Sequence, residues 1–388
     1  MNDPINSNNN LPYKLAFVKP NHKNYSETFL ENQIRLLDNP KRILYGGAFP
    51  TREDDGSLLI KNPFHLLLYF YYKKVLRRTD IPIRDLYLKK WLLKNKISVV
   101  LAQYGPTGAL IAPACKMASI PLVIHFHGYD AYDQGTLKKY GKLYPFALDF
   151  ASKIVSVSNE MVARLIELGA SKEKVYFISC GVDTQYFSNA KPALSKRIFL
   201  SVARFAEKKS PFSTIRAFKL VVEKYPDSKL IMAGIGPLWE ASKTLALDLN
   251  ISNNIEFKGV QTPAEVLNLI RKSRAFVQHS VTAPSGDKEG TPTSLLEASS
   301  SGLPIISTCH AGIKDAVIHE KTGFLVQEGD IESMAKFMLL LAGDSELSQQ
   351  MGENGREHME NNYDLKIQIK KLNNLLYEAM NEQFGLKK

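Results

Sequence analysis

Residues 289–326 read EGTPTSLLEASSSGLPIISTCHAGIKDAVIHEKTGFLV. Glu289 and Glu297 flank a turn that contains glycine and proline, and an apolar helix is predicted from about Thr293. Short apolar strands are predicted at Pro304–Ser307 and Gly323–Val326. A loop that enters a helix N-terminus presents free backbone N–H groups, which suit phosphates or sugar hydroxyls. From spacing alone, two interpretations stay open: a ligand site, or a capped surface helix with incidental acidic residues.

Strands and helices alternate on both sides of this stretch. The other predicted strands are Lys14–Val18, Ile97–Leu101, Pro121–His125, Lys153–Ser156, Val175–Ser179, Ile198–Val202, Lys229–Ala233, Ile255–Phe257 and Ala275–Gln278. This pattern predicts an α/β protein with two doubly wound, parallel-sheet, Rossmann-like domains. We expect domains at residues 1–190 and 191–364, and a last helix in 365–388 that crosses back to the first domain. Ligands bind at the carboxyl ends of such strands, so the cleft between the domains is the expected site.

The composition excludes several classes of protein. Of the 388 residues, 44% are hydrophobic and 23% are charged, which excludes a disordered chain. The longest apolar run, from Phe64 to Tyr72, is about half of the ~20 residues that a membrane-spanning helix needs. The N-terminal MNDPINSNNN does not resemble a signal sequence, so a cytoplasmic location is expected. Cys115, Cys180 and Cys309 are widely spaced and are expected to be reduced, mostly buried thiols.

Positive charge is concentrated in the first half of the chain. Residues 1–190 contain 25 Lys and Arg against 16 Asp and Glu, whereas residues 191–388 contain 25 against 23. Much of the excess lies in residues 61–96, where basic and aromatic residues are interleaved. Three interpretations stay open: amphipathic helices with their aromatic side chains in the core, contact with an anionic membrane surface, or binding of single-stranded nucleic acid. Arg84, within this stretch, is expected to be dispensable for chemistry in the cleft.

The stretch 289–326 resembles the donor-binding motif of retaining glycosyltransferases of family 4, which carry E-x7-E, a small-residue helix, a Gly-x-Pro strand and a Gly-x-Leu-Val turn. Other segments resemble this family in the expected order: HFHGYD (125–130), VSVSNEM (155–161), VYFISCGVDTQYF (175–187), SVARFAEKKSP (201–211) and MAGIGP (232–237). The resemblance implies the GT-B fold. It also implies transfer of a sugar from a UDP- or GDP-sugar to a hydroxyl of a glycan or lipid-linked acceptor, as in exopolysaccharide or surface-glycan synthesis.

The resemblance implies a role for each polar group of the donor side. Arg204 and Lys209 would stabilise the diphosphate leaving group, because a fixed cationic pair in a water-poor cleft favours the charge that develops there. Glu289 would hold hydroxyls of the transferred sugar, and Glu297 would hold those of the ribose. Further donor contacts are expected at Gly234, Val260, Gly290, Thr291, Pro292 and Thr293.

Residues of the first domain would complete the site. His127, just past a strand end, would lie against the donor sugar and is counted as catalytic with Glu289, Arg204 and Lys209. Asp130 would bond an acceptor hydroxyl or orient His127. His125 is expected to point the opposite way along its strand and to be a packing residue.

Some residues depart from the family pattern. The Gly-Gly loop after the first strand is absent from Lys19–Thr28, which resembles the exopolysaccharide subgroup. The usual glycine after the cationic loop is Ser210, and the usual Gly-Phe-Gly of the motif is Gly290-Thr291-Pro292. Because the predicted leaving-group clamp is cationic and no Asp-x-Asp pair stands out, no metal or other cofactor is expected.

Two other functions fit the same features. A nucleotide-sugar-processing enzyme of this fold, such as a 2-epimerase, would share the cleft but normally lacks E-x7-E together with Arg204 and Lys209. A non-enzymatic binder of carbohydrate or nucleic acid fits the basic stretch but needs neither the two glutamates nor the clamp. The expected partners are therefore a nucleotide sugar and a sugar acceptor, with an anionic membrane as an open alternative and without nucleic acid.

Overall fold

The computed structural model describes residues 13–22 and 27–383, which contain two β-sheets. The strands of the first sheet are β1 (Leu15–Val18), β2 (Lys41–Tyr45), β3 (Arg52–Glu53), β4 (Val99–Gln103), β5 (Leu122–His125), β6 (Lys153–Ser156) and β7 (Val175–Phe177). The strands of the second sheet are β8 (Ile198–Val202), β9 (Lys229–Ala233), β10 (Ile255–Gly259), β11 (Ala275–Gln278), β12 (Ile305–Thr308) and β13 (Gly323–Val326).

Helices flank both sheets. In the first half they are α1 (Thr28–Leu36), α2 (Pro63–Phe70), α3 (Pro82–Lys94), α4 (Gly105–Ala118), α5 (Tyr129–Tyr132), α6 (Gln134–Tyr140), α7 (Tyr144–Phe150) and α8 (Asn159–Glu167). In the second half they are α9 (Pro211–Lys224), α10 (Trp239–Asp248), α11 (Pro263–Lys272), α12 (Thr293–Ser301), α13 (Ile313–Ala316), α14 (Ile331–Gly343), α15 (Ser345–Asn362) and α16 (Leu365–Gln383). A π-helical turn, Tyr71–Val75, extends α2.

The strand orders are β3-β2-β1-β4-β5-β6-β7 and β10-β9-β8-β11-β12-β13. All pairs are parallel except β2 with β3, which forms a short antiparallel edge. The predicted α/β fold with two parallel sheets is therefore confirmed. Several predicted strands have the observed bounds, among them β8, β9, β11 and β13. Strands β2 and β3 were not predicted from the sequence.

Apolar side chains cover both faces of the first sheet. Along β4, Val99 and Leu101 belong to one core cluster, whereas Val100 and Ala102 belong to the other. This explains why residues 99–102 form a continuous apolar run with no polar face. Helix α16 packs on the Val99–Leu101 face, where its leucines join the side chains of β1 in a single cluster.

The structure shows the surroundings of Arg84 and of the three cysteines. Arg84 is only 3% exposed, and its Nε donates to Asp85 Oδ1 at 3.0 Å. The side chain is therefore part of the packed interior, and its replacement is expected to disturb the fold. Cys115 and Cys180 are buried and Cys309 is exposed, so the expectation of mostly buried thiols is confirmed. Within the described residues, no helix is long and apolar enough to cross a membrane.

Candidate active site

A cavity of about 470 Å³ lies between the carboxyl ends of the two sheets. The strand order changes direction between β1 and β4 in the first sheet and between β8 and β11 in the second. Loops that leave neighbouring strands toward opposite faces open a crevice at such a point. The cavity is lined from both halves of the chain, as is common for ligand sites between domains.

All but one of the predicted site residues line this cavity. They are His127, Arg204, Lys209, Gly234, Val260, Glu289, Gly290, Thr291, Pro292, Thr293 and Glu297. The fold thus brings together residues from distant parts of the sequence. Their roles stay predictions. Asp130 is the exception and lies behind the cavity wall.

The loop after β8 carries the predicted cationic pair. Arg204 is exposed on the cavity wall, and Lys209 ends a 3₁₀ turn, Glu207–Lys209. Ser210, where the family pattern has glycine, has a φ of 37° and precedes α9 directly. The loop therefore keeps the left-handed conformation that favours glycine, although it carries a serine there.

The turn after β9 packs directly on this loop. A Cβ at Gly234 would lie 2.0 Å from the carbonyl oxygen of Ala203, and one at Gly236 would lie 2.4 Å from that of Phe205. Both neighbours are backbone atoms that flank Arg204 in the chain. Because only glycine permits this approach, the Gly-x-Gly spacing holds the loop that carries Arg204.

Glu289 and Lys209 form an ion pair at the cavity. Lys209 Nζ lies 3.0 Å from Glu289 Oε2, and both side chains are largely buried. The other carboxylate oxygen, Oε1, is buried and has no hydrogen-bond partner among the described residues. Buried carboxylate oxygens normally accept a hydrogen bond, so Oε1 is a ready acceptor for a ligand hydroxyl.

The surrounding charges keep Glu289 ionised. Burial by itself would raise the pKa of Glu289, but the charges of Lys209 and Lys208 outweigh it and the pKa falls below its usual value. Burial lowers the pKa of Lys209, although Glu289 opposes that shift. Lys208 forms a second ion pair, 3.0 Å from Asp287. Two lysines and the carboxylate of Glu289 therefore line one side of the cavity.

Glu297 lies in the second turn of α12 and is half-buried. Burial raises the pKa of its carboxyl group to about 7. A ligand that donates hydrogen bonds to this buried carboxyl group would stabilise its ionised form. The vicinal hydroxyls of a ribose are such donors.

His127 faces the cavity from the first half and is held by a chain of amides. Its Nε2 donates to Gln103 Oε1 at 2.8 Å, and Gln103 Nε2 donates to Gln33 Oε1 at 2.8 Å. Burial and the neighbouring His125 lower the pKa of His127 well below its usual value, so the ring is neutral. Its Nδ1 has no partner in the described part of the chain and remains an acceptor.

Two family models match the chain. The model described as Glycosyltransferase Family 4 matches residues 46–186, and the model described as Glycosyl transferases group 1 matches residues 183–358. Between them they include every site residue predicted from the sequence. The chain belongs to the family 4-like glycosyltransferases.

Curated relatives agree with this assignment, and a solved structure shares the fold. The glycosyltransferase is 28% identical over 286 residues to the putative colanic acid biosynthesis glycosyltransferase WcaL of Escherichia coli K12. The aligned stretch covers 72% of this chain and 70% of the relative. It is 29% identical over 361 residues to an Escherichia coli enzyme named UDP-Gal:alpha-D-GlcNAc-diphosphoundecaprenol alpha-1,3-galactosyltransferase, covering 85% and 91%. The crystal structure of Anabaena Alr3699/HepE in complex with UDP has the same fold, with a TM-score of 0.73, 18% identity and coverage of 94% and 100%. The fold is therefore GT-B, as the resemblance implied.

In this glycosyltransferase the motif glycine lets the two halves meet. A Cβ at Gly290 would lie 2.3 Å from the carbonyl oxygen of His127 and 2.6 Å from Val157 Cγ2. Thr291 Oγ1 donates to the carbonyl oxygen of Val157 at 2.6 Å. The Glu-Gly-Thr segment therefore bonds across the cleft to the first half.

Asp130 supports the loop that carries His127. Its carboxylate accepts from the backbone N–H groups of Gly105, His127 and Gly128 at 2.9–3.0 Å. Burial raises the pKa of Asp130 to about 6 despite these bonds. Of the two expected roles, these contacts support the orientation of His127, and the fully buried side chain is not placed to bond an acceptor hydroxyl.

The expectation that the side chains of His125 and His127 point in opposite directions was wrong. Residues two apart in an extended segment share a face, and the rings of His125 and His127 lie 4.2 Å apart. His125 is fully buried, as expected for a packing residue.

Several cavity residues were missed by the sequence analysis. Lys208, Glu27 and Tyr104 line the cavity, and Tyr104 OH donates to Glu27 Oε1 at 3.2 Å. The place of Tyr104 directly after β4 was the available signal, because that strand borders the point where the strand order reverses. Gln103 was hidden because it ends an otherwise apolar strand.

In residues 13–22 and 27–383, no group of three His, Cys, Asp or Glu side chains is arranged to hold a metal ion. The expectation that the glycosyltransferase needs no metal or other cofactor stays a prediction.

Proposed function

We propose that the chain is a retaining hexosyltransferase that moves a sugar from a nucleoside-diphosphate sugar to a hydroxyl of a glycan or lipid-linked acceptor. The observation that carries the proposal is the buried Lys209–Glu289 pair, which lines the same cavity as Arg204 and leaves Glu289 Oε1 without a hydrogen-bond partner among the described residues. Cations at one point and hydroxyl acceptors beside them match a diphosphate joined to a sugar. A surface polysaccharide of bacterial type is the product class we assign.

In the proposed reaction the bond between the anomeric carbon and the diphosphate oxygen breaks as the acceptor oxygen bonds to the same face of the sugar. The acceptor proton passes to the departing phosphate oxygen. Arg204 and Lys209 stabilise the charge that develops on the diphosphate. Glu289 accepts hydrogen bonds from sugar hydroxyls and fixes the ring. Isolation of a covalent glycosyl–enzyme adduct, or an inverted product by NMR, would contradict this route.

UDP is the donor nucleotide we favour, and a lipid-linked glycan is the favoured acceptor. The galactosyltransferase relative is named for UDP-Gal and a diphosphoundecaprenol acceptor, and the Anabaena structure holds UDP. Relatives named for colanic acid and amylovoran synthesis support an exopolysaccharide product.

The decisive assay measures nucleotide release from UDP-sugars with and without a lipid-linked acceptor analogue. We expect release that requires acceptor and yields an α-linked product. Glu289→Gln and Lys209→Ala should each lower the rate about a hundredfold or more, on the scale of one lost transition-state contact. Lys219→Ala is the matched control, because Lys219 pairs with Glu223 on α9 outside the cavity. Release without acceptor, with an epimerised sugar, would favour a 2-epimerase. Binding without turnover would favour a carbohydrate-binding protein.

Metal removal provides an independent test. The proposed clamp is built from Arg204 and Lys209, so EDTA should leave the transfer rate unchanged. A rate that falls with EDTA and returns with Mg²⁺ or Mn²⁺ would contradict a purely cationic clamp.

We further propose that the enzyme works at the cytoplasmic face of an anionic membrane, and that residues 61–78 form its docking surface. Phe64, Leu67, Tyr71 and Val75 follow helical spacing along α2 and the π-helical turn. Phe64 and Leu67 are each 69% exposed, and Val75 is 64% exposed. An apolar stripe in water at this spacing is typical of helices that lie in a membrane interface.

The charges of the same segment are complementary to an anionic surface. Residues 61–78 contain five lysines and arginines and no acidic residue. Each such base near an anionic bilayer contributes about 1 kcal/mol. Tyr69 and Trp91, in contrast, are buried, so part of the aromatic content of residues 61–96 packs in the core.

Vesicle sedimentation tests this surface. The protein should bind vesicles that contain phosphatidylglycerol at low salt and should not bind pure phosphatidylcholine. Phe64→Ser with Leu67→Ser, or Lys73→Glu with Lys74→Glu, should abolish binding but leave transfer to a soluble acceptor analogue intact. Leu194→Ser is the matched control, because Leu194 is 82% exposed in the other half and is flanked by lysines. Unchanged vesicle binding by the variants, or a dimer that the variants dissociate, would overturn the assignment.

A further inference from the structure

A buried histidine touches the backbone of Glu289 from behind the cavity. His310 follows β12 and is 1% exposed. Its Nδ1 lies 2.6 Å from Glu328 Oε1, and its Nε2 lies 3.2 Å from the backbone nitrogen of Glu289. No sequence motif singled out this residue, although it lies within the stretch 289–326.

The partners of the ring fix its protonation state. A carboxylate can only accept, so Nδ1 must carry a hydrogen and donate it to Glu328. A backbone N–H can only donate, so Nε2 must be unprotonated and accept from Glu289. The ring of His310 is therefore the neutral tautomer with hydrogen on Nδ1, because a doubly protonated ring has no lone pair for this bond.

The glutamate behind the ring is itself held in place. Glu328 Oε2 accepts from the backbone N–H of Thr282 at 2.8 Å. Thr282, His310 and Glu328 follow β11, β12 and β13 respectively, so one hydrogen-bonded chain ties three strand ends together. On the far side of the motif, the backbone N–H of Gly312 donates to the carbonyl oxygen of Gly290 at 3.0 Å.

We propose that His310, oriented by Glu328, is a positioning residue for Glu289. By accepting the N–H of Glu289, the ring holds the backbone from which the carboxylate reaches Lys209 and the donor sugar. The inference rests on the proposed role of Glu289 and adds the group that sets its position. A shift of about 1 Å in such a group lowers a rate about a hundredfold, so a contact behind the site is enough to control turnover.

Two substitutions separate the acceptor function from mere packing. His310→Leu fills much of the space but offers no acceptor to the N–H of Glu289. His310→Gln places an amide oxygen near the position of Nε2 and restores one. We expect His310→Leu to lower kcat about ten- to a hundredfold with little change in the KM of the donor, and His310→Gln to recover most of the loss. His319→Gln is the control, because His319 Nδ1 also accepts a backbone N–H, that of Leu325, away from the cavity.

Two spectroscopic measurements test the contact without turnover. In the wild type, ring ¹⁵N shifts should report hydrogen on Nδ1 of His310 and none on Nε2. Hydrogen exchange at the Glu289 amide should be slow, should speed up in His310→Leu, and should slow again in His310→Gln. Equal losses of kcat in both variants, unchanged activity in His310→Leu, or hydrogen on Nε2 would overturn the proposal. A wild type that transfers no sugar but shows the expected shifts and exchange would overturn the proposed function and leave the His310–Glu289 contact confirmed.

Discussion

At the residue scale, the donor side of the cleft combines two carboxylates in opposite electrostatic states. Lys209 and Lys208 keep Glu289 ionised, whereas burial raises the pKa of Glu297 to about 7. Environments that push paired carboxyl groups apart in pKa are common where each has a different task. Here they suit a permanent acceptor for sugar hydroxyls and a second acceptor that ionises fully when ribose hydroxyls bind.

The raised pKa of Glu297 predicts a pH dependence of stability. Because the folded-state value of about 7 exceeds the usual 4.5, the folded chain binds this proton more tightly than the unfolded chain does. The contribution of Glu297 to the stability of the folded chain is present below pH 4.5 and is lost as the pH rises through 7. Glu297→Gln should remove this loss. The free energy of unfolding of the variant, measured with urea, should therefore rise relative to that of the wild type between pH 5 and 8. A stability difference that does not change over this range would contradict the assigned environment.

Residue identities at the site were largely predictable, but their contacts were not. Glu289, Glu297, Arg204 and Lys209 were singled out by motif, and all four line one cavity. Their motif did not reveal that Lys209 binds Glu289 directly, because that contact joins loops after different strands. His310 was invisible for the same reason, since its partners at 289 and 328 come together only in the folded sheet.

At the element scale, glycines set how closely the loops approach. Gly234 packs on the cationic loop, and Gly290 packs on the carbonyl oxygen of His127. Sequence patterns located both glycines, since each belongs to a motif. The contacts that require glycine lie far away in the chain and appear only in the structure. Strand β2 escaped prediction because only one of its residues is fully buried, and the edge strand β3 because it has only two residues.

Gly290→Ala should separate the two halves of the cleft. The new methyl group would meet the His127 carbonyl oxygen at 2.3 Å, so the motif loop must retreat from the first half. We expect a loss of transfer of about a hundredfold, while the sheets remain folded. Gly141→Ala is the control, because the nearest atom to its Cβ would be Leu137 Cβ at 3.9 Å. Steady-state kinetics measure the loss of transfer, and circular dichroism checks that the variant is folded. Full activity of Gly290→Ala would contradict the close approach.

At the scale of the whole molecule, α16 joins the end of the chain to its beginning. Leu372 and Leu376 pack with Leu15 and Phe17 of β1, and Lys153 Nζ lies 2.7 Å from Glu382 Oε1. The sequence predicted a last helix in residues 365–388 that crosses back to the first domain. Which strands it covers appears only in the structure, because the sequence of a helix does not identify the surface on which it packs.

Leu376→Ala should therefore destabilise the first sheet. The side chain is fully buried, and truncation of such a leucine costs about 2–5 kcal/mol. Thermal unfolding should show a lower Tm in this variant. Leu194→Ala, at a highly exposed leucine, should leave the Tm unchanged. Equal Tm values for Leu376→Ala and the wild type would contradict the packing of α16.

Nucleotide binding tests the central claim most directly. Thermal shifts would be measured with UDP, GDP, ADP, CMP and NAD, for the wild type and for Glu297→Gln. A ligand at 100 times its Kd stabilises a protein by about 2.7 kcal/mol, which gives a measurable rise in Tm. We predict a clear rise with UDP in the wild type and a smaller one in Glu297→Gln. A response to NAD alone, or a UDP response that Glu297→Gln leaves unchanged, would contradict a nucleotide-sugar site in this cleft.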